Sequence, residues 1–244
     1  MDNTAVVILA AGKGTRIKSK NTNKVVLPLA GKPMISYVVA KLLKMKLPDI
    51  FVVVGFAKKS VMDVLGDKVK YIIQKKRLGT ASAVRAAMKD ITLFNSALVL
   101  QGDDSAFYTK ELLINLLMVH QKKSPVITLL TVKKENPFGL GRIKRKNGKV
   151  IAIVEEKNAS DEERKINEIN AACYVFSVPF LKKYLPKIKL NPLKKEYYLT
   201  DLVEIAVKNR LQIETYTASE KIFMGVNTQE ELTLAQDKMD LIDK

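Results

Sequence analysis

A glycine-rich turn that directly follows an apolar run is the first part of the sequence that could do chemistry. Residues 5–9 are apolar, and four residues suited to binding an anion come soon after: Gly12, Lys13, Gly14 and Arg16. Glycines give the backbone φ freedom and leave its amide groups open, and the cations add fixed positive charge. A strand followed by such a turn is typical of a phosphate site. From residue types alone, a plain glycine turn into a polar surface loop is an equally good interpretation.

The turn matches neither of two common phosphate-binding motifs. A Walker loop requires a Gly-Lys pair followed by Ser or Thr, and no Gly-Lys pair of this chain is followed by either residue. The dinucleotide-binding fingerprint requires a third glycine at the position that Ile17 occupies. Any phosphate site here is therefore of another type.

The elements that must position these residues are predicted by the apolar pattern. Through about residue 100, short β-branched runs alternate with amphipathic stretches. We expect buried strands at 5–9, 50–54, 69–73 and 97–100, a first helix that Pro33 opens at N1 and Pro48 closes, and helices at 57–65 and 79–89. This order predicts an α/β fold with a mostly parallel sheet, and ligands at the carboxyl ends of its strands.

The second half has a different pattern. We expect strands at 126–132 and 171–176, a hairpin of 142–146 and 149–154 around Asn147 and Gly148, and helices at 198–208 and 229–242. No linker rich in Pro, Gly or Ser separates the halves, so the sequence predicts one domain over 1–244. Its parts are a first unit of about 1–110, a β-rich unit of about 111–227, and a C-terminal helix at 228–244.

Composition limits the partners. The net charge of +17 attracts anions, but the 42 basic residues are spread along the chain rather than concentrated between aromatic residues. We therefore favour a lysine-rich surface over a nucleic-acid interface, and expect no nucleic-acid partner. No apolar run approaches the length of about 18 residues that spans a membrane, and the first residues do not resemble a signal peptide. We expect no membrane partner and a cytoplasmic location.

Two single residues are interpreted without a catalytic role. Cys173 is the only cysteine, so it cannot form an internal disulfide, and we interpret it as a small apolar strand residue. His120 is the only histidine and follows an amphipathic stretch, so we expect it at a helix end, facing water.

Nine segments, in order over nearly the whole chain, carry a resemblance to a known family. They are LAAGKGTRIKS, NKVVLPLAGKPM, QKKRLGTASAV, QGDDSAFY, FGLGRIKRKNGKV, IVEEKNAS, EINAACYVF, EYYLTDLVEIA and GVNTQEEL. They resemble the motifs of the sugar-1-phosphate nucleotidyltransferases, and most of all the uridyltransferase domain of the bacterial N-acetylglucosamine-1-phosphate uridyltransferases. The resemblance implies a Rossmann-like sheet flanked by helices, with a nucleotide-binding first part and a β-rich sugar-binding lobe.

The resemblance also implies a reaction. A sugar phosphate oxygen attacks the α-phosphorus of a nucleoside triphosphate, which releases pyrophosphate and leaves a nucleotide sugar. The implied substrates are UTP and N-acetylglucosamine 1-phosphate or a close hexose 1-phosphate, and the implied cofactor is Mg²⁺. Two alternatives stay open: a related enzyme for another pyrimidine triphosphate or sugar phosphate, and a non-catalytic nucleotide-sugar or nucleic-acid-binding module. The relatives' acetyltransferase β-helix pattern does not occur in the sequence, so we expect no acetyl transfer, and the oligomeric state stays open.

The matched motifs imply site residues in four groups. The catalytic group is Arg16, Lys24 and Asp103, and the metal ligands are Asp103 and Asn227. The nucleotide-binding group is Leu9, Ala10, Ala11, Gly12, Lys13, Gly14, Thr15, Gln74, Gly79 and Thr80. The sugar-binding group is Gly102, Gly141, Glu155, Asn170, Tyr198 and Thr200.

The chain departs from the family pattern at several of these motifs. Asn23 replaces a common proline before Lys24, Gln101 stands where tyrosine is frequent, and Asp104 adds a second carboxylate. Residues 171–172 are Ala-Ala where Thr-Gly is frequent, which adds a methyl group near the expected sugar pocket. Chemistry alone also leaves the base open, because the amide of a glutamine such as Gln74 can pair with uracil or, when flipped, with cytosine.

Overall fold

The computed structural model describes residues 3–14, 17, 21–47, 49–226 and 228–242, with only the backbone of 240–242. The elements of the first half are β1 (Thr4–Ala10), β2 (Pro28–Leu29), β3 (Lys32–Pro33), α1 (Met34–Lys44), β4 (Asp49–Val54), α2 (Lys58–Leu65), β5 (Lys70–Ile73), α3 (Thr80–Ile91) and β6 (Ser96–Gln101). Those of the second half are α4 (Lys110–Lys123), β7 (Ile127–Lys133), β8 (Arg142–Lys146), β9 (Lys149–Val154), α5 (Asp161–Arg164), β10 (Glu168–Ser177), α6 (Val178–Tyr184), α7 (Asp201–Lys208), β11 (Ile213–Ala218) and α8 (Gln229–Ile242).

The central sheet has the strand order β11-β7-β10-β6-β1-β4-β5. β1 pairs in parallel with both β4 and β6, β4 pairs in parallel with β5, and β7 pairs in parallel with β11. β10 runs antiparallel between β6 and β7, and the β8–β9 hairpin joins the sheet through β10. The predicted mostly parallel α/β fold is confirmed. The chain reverses its strand order on either side of β1, which is where ligands bind in such sheets.

Apolar side chains cover both faces of the sheet. Along β1, Ala5, Val7 and Leu9 join the core under α3, α6 and α7, whereas the alternate residues 6, 8 and 10 join the core under α1, α2 and α4. This alternation explains why the strand reads as a continuous apolar run. A third cluster packs α8 against Met34 and the segment after β6. In the described chain, no helix combines the length and apolarity needed to cross a membrane.

Several predicted boundaries move by a few residues. Pro33 is the N-cap of α1 and not its first residue, because it belongs to the short strand β3. Pro48, expected to close that helix, lies outside the described residues, and α1 ends at Lys44. The expected helix at 198–208 begins only at Asp201, because Tyr198–Thr200 form a turn. β11 was not predicted, since half-buried residues such as Glu214 and Thr215 give it little apolar signal.

The prediction that His120 faces water is wrong. Its side chain is only 8% exposed, and its Nδ1 shares a hydrogen bond of 2.9 Å with Thr128 Oγ1 in β7. The buried stripe of α4 includes Leu116 and Leu117, and a residue three or four positions later lies on the same face. Burial lowers the pKa of His120 to about 4, so the imidazole is neutral in the folded protein.

We predict that the buried His120 causes the free energy of unfolding to fall as the solution is acidified. An unfolded histidine binds a proton below pH 6.5 whereas the folded one does so only near pH 4, so stability is lost as the pH falls through this window. The loss is at most about 3 kcal/mol. Chemical denaturation of wild type and His120→Gln at several pH values should show a shallower decline for the variant. Equal declines would contradict the buried neutral imidazole.

Candidate active site

The predicted nucleotide-binding residues begin at the carboxyl end of β1. Leu9, Ala10 and Ala11 are buried, and the backbone reaches the surface at Gly12 and Lys13, which are exposed. The turn therefore presents its backbone to solvent at the sheet edge where parallel sheets bind their ligands.

The two glycines of the turn serve different purposes. Gly14 has φ +60°, and a Cβ there would lie 2.9 Å from Lys24 Cβ, so both backbone conformation and packing require glycine. A Cβ at Gly12 would meet no described atom within 4 Å, which leaves open space in front of its backbone. That space suits the close approach of a ligand. Thr15 and Arg16, which the sequence assigns to nucleotide binding and catalysis, lie outside the described residues.

Asn23 holds the turn in place, a role that the sequence analysis did not foresee. Its Nδ2 donates to the carbonyl oxygens of Ala10 and Phe56, each at 2.8 Å, and more weakly to that of Gly12 at 3.3 Å. Its Oδ1 accepts a bond of 3.2 Å from the N–H of Val25, which caps the short 3₁₀ turn that carries Lys24. The residue that departs from the family pattern thus connects three segments around the turn.

Lys24 and Asp103 form an ion pair beside the turn. Their side chains are 13% and 14% exposed, so both charges are largely withdrawn from water. Asp103 reaches this position because Gly102 N–H, one residue beyond β6, donates to Leu9 O at 3.0 Å. Two of the predicted catalytic residues are therefore in contact.

Asp104 lies buried behind this pair. Burial, and then the neighbouring charge of Asp103, raise the pKa of Asp104 to about 7. A backbone hydrogen bond from Val226 partly offsets this rise. Its Oδ1 has no hydrogen-bond partner within the part of the chain that the structure describes. The predicted metal ligand Asn227 is outside the described residues. Val226, the residue before it in the sequence, donates this backbone hydrogen bond to Asp104.

The donors at this place fit a magnesium ion. They are carboxylate oxygens, the ligand type that Mg²⁺ prefers, and Mg²⁺ commonly takes one or two carboxylates together with water and substrate phosphates. Next to Asp103, the predicted ligand, Asp104 adds a fully buried carboxyl oxygen, Oδ1, that has no hydrogen-bond partner among the described residues. Over the described ranges, no group of three or more His, Cys, Asp or Glu side chains forms a metal cage.

Gln74, the predicted base-binding residue, lies at the end of β5 on the same sheet edge. Its side chain is only 6% exposed, and its backbone N–H donates to Val54 O at 2.8 Å. Its Nε2 donates to Gly79 O at 3.3 Å, which orients the amide. Because a carbonyl oxygen can only accept, this bond places the amide nitrogen next to Gly79 O and leaves the amide oxygen and the second N–H of Gln74 for other partners.

Gly79 and Thr80, predicted to bind the nucleotide, contact the segment that carries Tyr198, a predicted sugar-binding residue. Gly79 has φ +92°, and a Cβ there would lie 2.6 Å from Tyr197 O, so close packing on the 196–199 segment excludes any side chain. Thr80 Oγ1 accepts a hydrogen bond of 3.0 Å from Leu199 N–H. Gly79 and Thr80 therefore hold the 196–199 segment, which also carries Tyr198, in position.

Most of the predicted sugar-binding residues lie together. Gly141 O accepts from Asn170 N–H at 2.9 Å, and a Cβ on Gly141 would lie 3.7 Å from Glu155 Oε2. Thr200 donates a side-chain hydrogen bond to Glu155, which opposes the rise that burial causes in the pKa of Glu155. The charge of Glu155 also contributes, after burial and Glu196, to a raised pKa of Tyr198. Gly102 lies apart from this group, against Leu9 and Val25.

The side chain of Asn170 is already engaged within the protein. Its Nδ2 donates to Tyr174 Oη at 2.7 Å, and its Oδ1 accepts from Ala172 N–H at 3.1 Å. These bonds close an irregularity of β10, where Ala172 has φ +51°. This left-handed conformation favours glycine, so an alanine there costs about 1 kcal/mol. Besides the expected extra methyl group, the Ala-Ala sequence therefore introduces backbone strain.

We predict that Asn23→Ala destabilises the protein by about 2 to 4 kcal/mol, because it removes several buried hydrogen bonds and leaves backbone groups unpaired. Chemical denaturation measures this loss. The exposed Asn95 gives a matched control, and Asn95→Ala should stay within about 0.5 kcal/mol of wild type. Equal stability of the two variants would contradict the role given to Asn23.

Comparison with known proteins identifies sequence relatives over the whole chain. The family model described as nucleotidyl transferase matches residues 5–228. The chain is 40% identical over 240 residues to the bifunctional protein GlmU of Thermoanaerobacter pseudethanolicus, covering 98% of this chain and 52% of that protein. It is 37% identical over 241 residues to the GlmU of Bacillus subtilis, covering 98% and 53%. The chain thus spans about half the length of these curated relatives.

Solved structures share the fold at lower identity. A putative glucose-1-phosphate thymidylyltransferase from Bacillus anthracis, in complex with a sucrose, superposes with a TM-score of 0.80 at 23% identity, covering 96% of this chain and 94% of that one. An apo UDP-glucose pyrophosphorylase superposes with a TM-score of 0.80 at 19% identity, covering 99% of both chains. Since the family model covers most of its length and relatives are 37% and 40% identical across it, the chain belongs to the nucleotidyl transferase family.

Proposed function

We propose that the protein transfers a uridylyl group from UTP to N-acetylglucosamine 1-phosphate, or a close hexose 1-phosphate, with Mg²⁺. The observation that carries the proposal is the Lys24–Asp103 ion pair beside an open glycine turn, at the edge that also holds Gln74. The identity to the first half of GlmU proteins supports the same reaction.

The proposed reaction needs no protein nucleophile. An oxygen of the sugar phosphate attacks the α-phosphorus of UTP, the bond from that phosphorus to the oxygen bridging to the β-phosphate breaks, and pyrophosphate leaves. Such a displacement is accelerated mainly by aligning two anions and by neutralising the charge that develops on them. Asp103 and Asn227 would hold the Mg²⁺, which supplies positive charge to the phosphate oxygens when bound.

In this proposal, different cations contact different phosphates of the nucleotide. Lys24 lies at the metal carboxylate and would contact the α-phosphate, while the Gly12 to Gly14 turn and Lys13 would hold the β- and γ-phosphates. Arg16 follows the same turn in sequence and would add a bidentate contact to the phosphate oxygens.

The other side of the site would select the base and the sugar. Gln74 directs its amide oxygen to the imide N–H of uracil, and Glu155, held by Thr200, accepts hydrogen bonds from ring hydroxyls. The segment of Tyr198 closes the sugar pocket. A cytoplasmic location is part of the proposal, in keeping with the free and buried Cys173.

A substrate matrix tests the proposal. Pyrophosphate release is measured with Mg²⁺ for UTP, CTP, dTTP, ATP and GTP, each against several sugar 1-phosphates. We expect the highest kcat/KM for UTP with N-acetylglucosamine 1-phosphate. A preference for another triphosphate or sugar phosphate would show that the protein is a related enzyme with other substrates. If no combination released pyrophosphate, the proposal that the protein is an enzyme would be overturned.

The variant Asp103→Asn tests the metal ligand. Loss of the carboxylate charge should lower kcat by about 10²-fold or more, because the charge stabilisation acts in the transition state. Circular dichroism should show the wild-type fold. Asp67→Asn, at an exposed position, is the matched control and should keep full activity. Wild-type kcat for Asp103→Asn in Mg²⁺ would reject the assignment.

A further inference from the structure

A second arginine borders the proposed phosphate site, on the loop between β5 and α3. This loop runs from Gln74 to Gly79 and carries the exposed Arg77 at its middle. The Arg77 guanidinium lies over the ring of Phe56, with its Cζ 5.7 Å from the ring centroid. Lys13 of the glycine turn lies over the same ring, with its Nζ 5.9 Å from the centroid. One aromatic ring therefore holds two cations from different loops.

The backbone of Phe56 is anchored to the glycine turn. Phe56 N–H donates to Ala11 O at 3.1 Å, and Phe56 O accepts from Asn23 Nδ2 at 2.8 Å. Because Asn23 also binds the carbonyls of Ala10 and Gly12, the backbone of Phe56 and that of the turn form one hydrogen-bonded unit. The Phe56 ring is therefore attached to a backbone that is held against the turn.

The position of Arg77 follows from its own loop. Gln74 is anchored to Val54 O by its backbone, and its side chain binds Gly79 O, so both ends of the loop are held. A nucleotide with its base at Gln74 and its phosphates at the Gly12 to Gly14 turn has to extend from one loop to the other. Phe56 bridges these loops, and Arg77 lies at that bridge.

We propose that Arg77 is a further phosphate-binding residue, which contacts the β- and γ-phosphates of the nucleotide and makes the site select triphosphates. The inference rests on the proposed function, since it assumes a nucleotide in this orientation. An arginine offers a planar fork of donors that fits two phosphate oxygens at once. The cation–π contact with Phe56 restrains the Arg77 side chain near this position, which lowers the conformational entropy lost on binding.

The assignment also concerns the leaving group. The β- and γ-phosphates depart together as pyrophosphate, so a cation that contacts them stabilises the product of the forward reaction and the substrate of the reverse reaction. Residues 75–77 are three consecutive cations, and the structure lays Arg77 over the Phe56 ring. Lys76, exposed on the same loop, allows a control that removes the same charge from a neighbouring position.

Equilibrium binding of UTP, UDP and UMP to the full chain in Mg²⁺ tests the inference by isothermal titration. We expect Arg77→Gln to weaken UTP binding about tenfold, UDP binding less, and UMP binding not at all, since only the outer phosphates lose a bidentate partner. Lys76→Gln should leave all three affinities within about twofold of wild type, as long-range charge effects are screened by salt. Arg77→Lys should restore part of the loss, because it keeps the charge without the planar fork.

Phe56→Leu separates the ring from the charge. It leaves both cations in place but removes the surface that orients them, and should weaken UTP binding by about threefold without changing UMP binding. In the reverse reaction, Arg77→Gln should raise the KM for pyrophosphate and leave the KM for the nucleotide sugar unchanged.

The outcomes distinguish this inference from the proposed function. If wild type binds UTP and Arg77→Gln binds it equally well, or loses UTP and UMP to the same extent, the role of Arg77 is rejected while the function stands. If wild type binds none of the three nucleotides, both are rejected. If Lys76→Gln weakens UTP binding as much as Arg77→Gln does, the effect comes from the general charge of the loop, and the inference is also rejected.

Discussion

The parallel pairing of β1 with β6 is the constraint on which the site depends. Its register places Leu9 opposite Gln101, and the hydrogen bond from Gly102 N–H to Leu9 O continues the pairing one residue further. β1 and β6 therefore end side by side. The segment after β1 is the glycine turn, and the segment after β6 carries Asp103 and Asp104. Because β1 is buried on both faces, a shift in its register would disrupt the packing of its side chains against the helices on either side. The spacing between the glycine turn and Asp103, the proposed phosphate-binding backbone and metal-binding carboxylate, therefore follows from the core of the sheet.

At this edge of the sheet, charged groups of both signs lie where the proposed metal ion and phosphates would neutralise them. Lys24 and Asp103 are largely removed from water, and Asp104 lies buried behind them, so the protein places two acids and a cation in a small volume. Burying charges in this way costs free energy that an ion pair only partly offsets. A divalent cation and several phosphates bring opposite charges to both kinds of group. The site is thus stabilised by the species that we propose it binds, and the chain's overall charge of +17 favours the approach of anions.

The departures from the family pattern have separate structural consequences. Asn23, which stands before Lys24 where a proline is common, donates hydrogen bonds to three carbonyl groups, so the turn is held by a side-chain amide. Ala172 keeps the left-handed backbone that a glycine adopts more easily, and the Asn170 side chain supports it by accepting its N–H. Asp104 accepts from the backbone of Val226 and so ties the segment before α8 to the end of β6.

The sequence by itself determined the alternation of strands and helices in the first half, the hairpin at Asn147 and Gly148, and the glycine turn, because each is encoded by neighbouring residues through periodicity or backbone freedom. The motif resemblance also indicated which side chains belong near one another. Only the tertiary structure decided that His120 is buried against Thr128, that β11 pairs with β7, and that Arg77 and Lys13 share the ring of Phe56. The helical spacing from Leu116 and Leu117 places His120 on the buried face of α4, but that spacing does not specify Thr128 in the next strand as its partner. The other contacts join residues more than 20 positions apart, and a local pattern does not specify which distant side chain will be the partner once the sheet has formed.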